Sequence, residues 1–240
     1  TYDISEDGKT YTFHLRDAKW SNGDAVTAAD FVFGWHRAVD PATASEYSYM
    51  LSDIGQIVNA AEIIAGEKPV TDLGVTAVDD KTLEVQLNVP VSYFLSLMYF
   101  PTFYPVNEAF YNSCADTFGT SPDTVLSNGA FKLTDYQPAA TAFTLEKNPD
   151  YYDADKIALD SLAYQVIKDS QQALMSYQTG ALDMTLLNGE QVDQVKDDPE
   201  FTSVGAGYLW YLSPNMAGVP ELANENLRKA ITFALDRDAI

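Results

Sequence analysis

The chain has 240 residues with 14 basic and 35 acidic side chains, a formal net charge of −21, and 46% hydrophobic residues. That length can bury a sizeable core as one large or two ordinary domains, and the charge argues against nucleic acid or an anionic membrane as partner, since either would repel it. The single cysteine, Cys114, excludes an intrachain disulfide and a zinc cluster built from thiolates.

At the N-terminus, Asp3, Ser5, Asp7 and Gly8 copy the first half of a calcium-binding loop, but its twelfth position is His14 where a bidentate Glu is needed. A hairpin turn at Glu6–Lys9 explains these residues better. Tyr11, Phe13 and Leu15 alternate with Thr12, His14 and Arg16, the period-2 pattern of a half-buried strand. Trp20 to Asp24 reads as a turn, because Asn22-Gly23 tolerates positive φ. Thr27 with Asp30 three residues on forms a capping pair with the acid at the positive end of the dipole, so a helix begins there. Phe31, Trp35 and Ala38 give it an apolar stripe, and Asp40-Pro41 ends it.

Ile54, Ile57, Val58, Ala61, Ile64 and Ala65 recur at helical spacing, which predicts one helix terminated by Gly66. Leu73–Val78 and Thr82–Leu87 predict two strands joined by a short turn. Val91–Met98 predicts a helix, followed by Tyr99, Phe100, Phe103 and Tyr104 among two prolines. Core packing explains any one of these rings, while as a group they could line a pocket. No run reaches the roughly 20 apolar residues of a membrane helix.

Between Asn107 and Asp123 the sequence turns polar and loses clear period, and a domain boundary is expected there. Asn128–Leu133 and Phe143–Lys147 predict paired strands around Gln137-Pro138-Ala139. Ser161–Ile167 predicts another strand, Gln171–Thr179 a helix capped by Gly180, and Leu182–Met184 a returning strand, an α/β alternation. Asn188-Gly189-Glu190 begins the next helix, Phe201–Tyr211 predicts a strand broken by Gly205 and Gly207, and a last helix opens at Asn226.

Signatures of catalysis are missing: there is no HExxH, GxSxG, CxxC or GxxxxGK. Gly205-Ala206-Gly207 lacks the third glycine of a dinucleotide site. His14 and His36 lie on a strand and a helix without nearby catalytic partners and read as structural or exposed. The many carboxylates leave a glycosidase-like pair open as a coincidence of composition.

The passage from Tyr11 to Arg37 resembles the family 5 extracellular solute-binding proteins of ABC importers. Leu15-Arg16, Lys19-Trp20-Ser21, Gly23, Val26-Thr27-Ala28, Asp30-Phe31-Val32, Trp35 and Arg37 match that family's "HLR", "KWSDG" and "VTAxDFVxxWxR". Ile63 to Leu87 is similar to the oligopeptide-binding branch in particular. Asn128-Gly129-Ala130, the Asn148-Pro149 passage with Tyr152 where many members have Trp, then Tyr177, Gly180, Asp183 and Met184, and finally the Arg228-to-Arg237 helix extend the resemblance to the C-terminus.

The resemblance implies a mixed α/β (α+β) fold of the periplasmic-binding-protein class, comprising a first lobe with an inserted subdomain and little of the second lobe. It places the inserted subdomain at 1–106, part of the first lobe at 107–208, and the crossover at 209–240. The chain opens inside a hairpin and closes beside a helix, so it reads as a piece of a longer protein without its export signal. Members of the branch hold an extended peptide between two lobes and deliver it to a permease. By the same resemblance Tyr47 is a pocket residue, Phe100 lies in the same wall where a relative has histidine, and Asn188 falls near a loop that approaches the peptide. Tyr208, Trp210 and Tyr211 lie at the crossover into the other lobe.

The acid that holds the peptide's amino group belongs to the second lobe, so these 240 residues alone are expected to bind weakly. No cofactor and no metal are implied. The partners implied are an oligopeptide and the ABC permease, for a monomeric, extracytoplasmic protein, lipid-anchored or periplasmic. A dipeptide, sugar or metal-chelate binder on the same scaffold, and a carboxylate-dependent glycoside hydrolase, are the competing readings.

Overall fold

A computed structural model describes residues 1–205, 207–208 and 210–237. They fall into two compact units, 1–172 and 173–240.

The first unit opens with a hairpin of β1 (Tyr2–Ile4) and β2 (Thr10–His14), in register Tyr2 to Phe13. Asp7 works as a turn residue: its carboxylate accepts from Ser5 Oγ at 2.6 Å and from the Lys9 amide at 3.1 Å. After the Trp20–Asp24 turn, where Gly23 has φ +93°, α1 (Ala28–Val39) begins on the Thr27–Asp30 capping box. Asp30 Oδ2 accepts from the Thr27 amide at 2.8 Å and from Trp20 Nε1 at 3.1 Å. One buried acid thereby ties the turn to the helix it starts.

The expected single helix over 54–65 is not formed. Met50–Ile54 winds as a π-turn, Gln56 and Asn59 adopt positive φ, and only α2 (Ala60–Ile64) is α-helical. The reason is an edge hydrogen-bonding site. Ile57 bridges Leu87, and Val58 donates to Gln86 O at 2.9 Å while accepting from the Gly74 amide at 2.9 Å. Those bonds need an extended backbone that a helix cannot offer. Gly66, at φ +75°, ends α2 as expected.

The strands β3 (Val75–Asp79) and β4 (Thr82–Gln86) complete an antiparallel sheet ordered β1-β2-β4-β3. Its inner face and α1 enclose the core, in which Trp35, Leu51, Ile57, Ile63, Val85 and Phe94 are fully buried. Trp35 Nε1 donates to Phe103 O at 3.0 Å, so the indole is buried without an unpaired donor. The helix expected over 91–98 shrinks to α3 (Phe94–Leu97); Pro101 starts a 3₁₀ turn soon after it. In the polar stretch after Asn107, where the sequence shows no period, α4 (Glu108–Cys114) forms. Arg37 of α1 lies over the Tyr111 ring at 4.0 Å, a cation–π contact that pins α4 to α1.

A second antiparallel sheet, β5 (Phe131–Asp135), β6 (Ala142–Lys147) and β7 (Ser161–Gln165), closes the first unit. Phe143 and Tyr164 stack across it at 4.7 Å. Asn148 is fully buried: its amide donates to Gly129 O at 2.9 Å and its oxygen accepts from the Asp150 amide at 3.1 Å. The family-like Asn-Pro passage therefore serves to seal the end of β6.

After α5 (Ser170–Gln178), most of which falls in the second unit, come α6 (Gly189–Val195) and α7 (Glu225–Ala234). The strands expected at Leu182–Met184 and Phe201–Tyr211 are not formed among the described residues; Ala206 and Leu209, within the second, lie outside them. A strand exists only through its ladder, and the described residues offer these stretches no partner strand. Met184 and Leu186 are accordingly 79% and 87% exposed.

Candidate functional site

In the first unit, two chain segments distant in sequence meet on the surface. Asp40 accepts from the Ala42 amide at 2.9 Å to start a 3₁₀ turn at Pro41–Thr43, and Ala44 at φ 51° redirects the backbone. Leu51, fully buried, anchors the following π-turn and leaves Tyr47 and Tyr49 facing outward at 49% and 43% exposure. From the other segment, the Phe100 amide donates to Leu97 O at 2.8 Å and Phe103 is buried behind it. Phe100 is thereby held half-buried against the core.

The Tyr47 and Phe100 rings meet edge-on at 5.1 Å, and Tyr49 joins at 6.1 Å from Tyr47. Nearby in sequence, Tyr104 OH donates to Tyr99 O at 2.9 Å, and both rings are exposed. The structure thus brings Tyr47 and Phe100 together. Tyr49 was not singled out by sequence reasoning; its place two residues from Tyr47 on a bend, opposite buried Leu51, was the available signal.

The remaining expected site residues belong to the second unit. Asn188 is the N-cap of α6: its Oδ1 accepts from the Gln191 amide at 3.0 Å, and the Gln191 side chain returns the bond to the Asn188 amide at 3.1 Å. It stands beside a cavity of about 490 Å³ whose walls include Leu174, Met184, Leu187, Val192, Val195 and Phe201. At its edge Tyr177 donates a short hydrogen bond to Glu200, which holds the phenol above its ordinary range. Tyr208, Trp210 and Tyr211 are 79%, 87% and 79% exposed, with Tyr208 and Trp210 in edge contact at 6.4 Å.

His36, on α1, has a buried Nε2 without a hydrogen-bond partner among the described residues. Burial pushes its pKa below the ordinary value, against an opposing pull from Glu108. Among the described residues no group of three or more His, Cys, Asp or Glu side chains is arranged to hold a metal ion, and no helix is long and apolar enough to cross a membrane.

The model of the bacterial extracellular solute-binding proteins, family 5 middle, matches residues 1–240. The chain belongs to this family. The oligopeptide-binding protein OppA of Bacillus subtilis is 39% identical over 245 residues, covering 99% of this chain and 44% of the relative. The structure of the pheromone receptor PrgZ superposes with a TM-score of 0.89 at 36% identity, over all of this chain and 47% of the receptor. Peptide-bound OppA of Listeria monocytogenes superposes at 0.78 with 43% identity, over 83% of this chain and 39% of the relative. This family 5 chain therefore spans less than half the length of these relatives, and its mixed α/β fold is that of periplasmic binding proteins.

Proposed function

We propose that this family 5 chain is part of the substrate-binding component of a bacterial peptide importer. The whole protein binds oligopeptides between two lobes, chiefly through their backbone, and hands them to an ABC permease without covalent chemistry. The observation that carries the reading is the Tyr47–Phe100 aromatic pair, half open to solvent, on a scaffold shared with a peptide-bound relative. Backbone recognition suits such a wall, because every peptide offers the same N–H and C=O groups while aromatic surface buries varied side chains at low entropic cost. In this reading residues 1–106 are the inserted subdomain, 107–208 part of the first lobe and 209–240 the crossover. Asn188, Tyr208, Trp210 and Tyr211 then face the peptide, and the protein works outside the cytoplasm as a monomer, lipid-anchored or periplasmic.

The test is to express the full-length protein, release by denaturation whatever co-purifies, and identify it by mass spectrometry. A ladder of short peptides of mixed sequence is expected. A single sugar, bound metal chelate or one defined peptide would move the protein to another ligand class.

A further inference from the structure

We infer that the Tyr47–Tyr49–Phe100 surface receives a cationic side chain of the bound peptide; the inference rests on the peptide-binding reading above. The faces of aromatic rings carry partial negative charge and attract ammonium and guanidinium groups. Tyr47 and Tyr49 are tilted by 39° to each other, and Tyr47 and Phe100 by 64°, so no ring is stacked flat over another. With Tyr47 and Tyr49 each about half exposed, ring face is open to a ligand.

The charge around these rings has one sign. The segment 38–67, which supplies both tyrosines, carries five acidic and no basic side chains, and the segment 82–131, which supplies Phe100, carries four acidic and no basic ones. Glu46 adjoins Tyr47 directly. The basic residues that bracket the first segment are already engaged: Arg37 lies over Tyr111, and Lys68 donates to Asn59 Oδ1 at 2.6 Å. No cation from either segment competes for the ring faces. The chain also shows how its tyrosines take a cation, since Arg16 sits 3.9 Å from the Tyr152 ring centre and Arg37 sits 4.0 Å from that of Tyr111. A Lys or Arg side chain entering along this wall would find the same geometry with no internal occupant, whereas a Glu would meet only like charge.

The experiment uses the full-length protein and alanine pentapeptides carrying a single Lys, Gln or Glu at each position in turn, with affinities measured by calorimetry. At one peptide position Lys is expected to bind about 3- to 30-fold more tightly than Gln, the range of a cation–π contact from exposed to desolvated, with Glu weakest. The combined Tyr47→Leu and Tyr49→Leu variant is expected to lose that preference, while Tyr47→Phe, which keeps a ring of the same size, retains it. Equal binding of the Lys and Gln peptides at every position, or a preference that survives the double Leu variant, overturns the assignment and leaves the peptide reading intact. Failure of every peptide to bind the wild-type protein overturns both.

Discussion

Replacing Asp30 tests the proposed organisation of the N-terminal region at its most loaded point. The carboxylate is 7% exposed and accepts from the Thr27 amide and from Trp20 Nε1, whose side chain is 2% exposed. Asp30→Ala leaves two donors without a partner in places that water reaches poorly, at about 1–3 kcal/mol each. The lost N-terminal cap is contained in that figure, and the lost charge at the helix dipole adds about 0.5 kcal/mol. The expected loss is about 2–5 kcal/mol, or about 5–15 °C in Tm for a unit of this size. Asp30→Asn keeps an acceptor and gives up only the charge assistance, so about 1–2 kcal/mol is expected. Urea denaturation followed by tryptophan fluorescence reads both variants, and the Trp20 emission should shift in the native state of the Ala variant. A loss below about 1 kcal/mol for Asp30→Ala would refute the reasoning, because a buried indole N–H would then have found another acceptor at little cost.

Gly34→Ala sets two effects against each other. Ala favours the helix by about 1 kcal/mol, but its Cβ would sit 2.9 Å from Tyr104 O and 3.3 Å from the Val106 amide nitrogen, both backbone atoms. Overpacking against backbone wins, and a net loss of about 1–2 kcal/mol in the same denaturation assay is expected. Asn148→Ala should cost about 2–3 kcal/mol by stranding Gly129 O and the Asp150 amide, visible as faster hydrogen exchange at Asp150. For His36 the folded pKa lies below the unfolded one because burial disfavours the cation. The unfolded chain then binds more protons around pH 6, so the contribution is fully present above about pH 6.5 and is lost as the pH falls through the lower folded value. Thermal melts of wild type and His36→Gln should therefore converge or cross as the pH is lowered from 8 to 5.5, and a constant gap would contradict this.

Much of the fold was legible because its signals are local. The β1–β2 hairpin, the turn at Gly23, the capping of α1 by Thr27 and Asp30, the β3–β4 pair and the α6 start at Asn188 each depend on residues within a few positions of one another, where φ preference, alternation and side-chain capping act without help from the rest of the chain. The family match was carried by these same passages. The candidate site was legible only in part: Tyr47 and Phe100 were named from resemblance, but their ring contact and the participation of Tyr49 arise from two segments brought together over buried Leu51 and Phe103.

Where the sequence misled, a distant partner or its absence was the cause. Ile57 and Val58 carry helical spacing, yet the free hydrogen-bonding groups of Gln86, Leu87 and Gly74 draw them into an extended path. Leu182–Met184 has the composition of a strand, yet among the described residues it has no ladder to join. Amino-acid order alone determines turns, caps and the periodicity of each face. Which of those faces and edges is used depends on non-local hydrogen bonds and burial, and these exist only once the sheet and α1 have assembled.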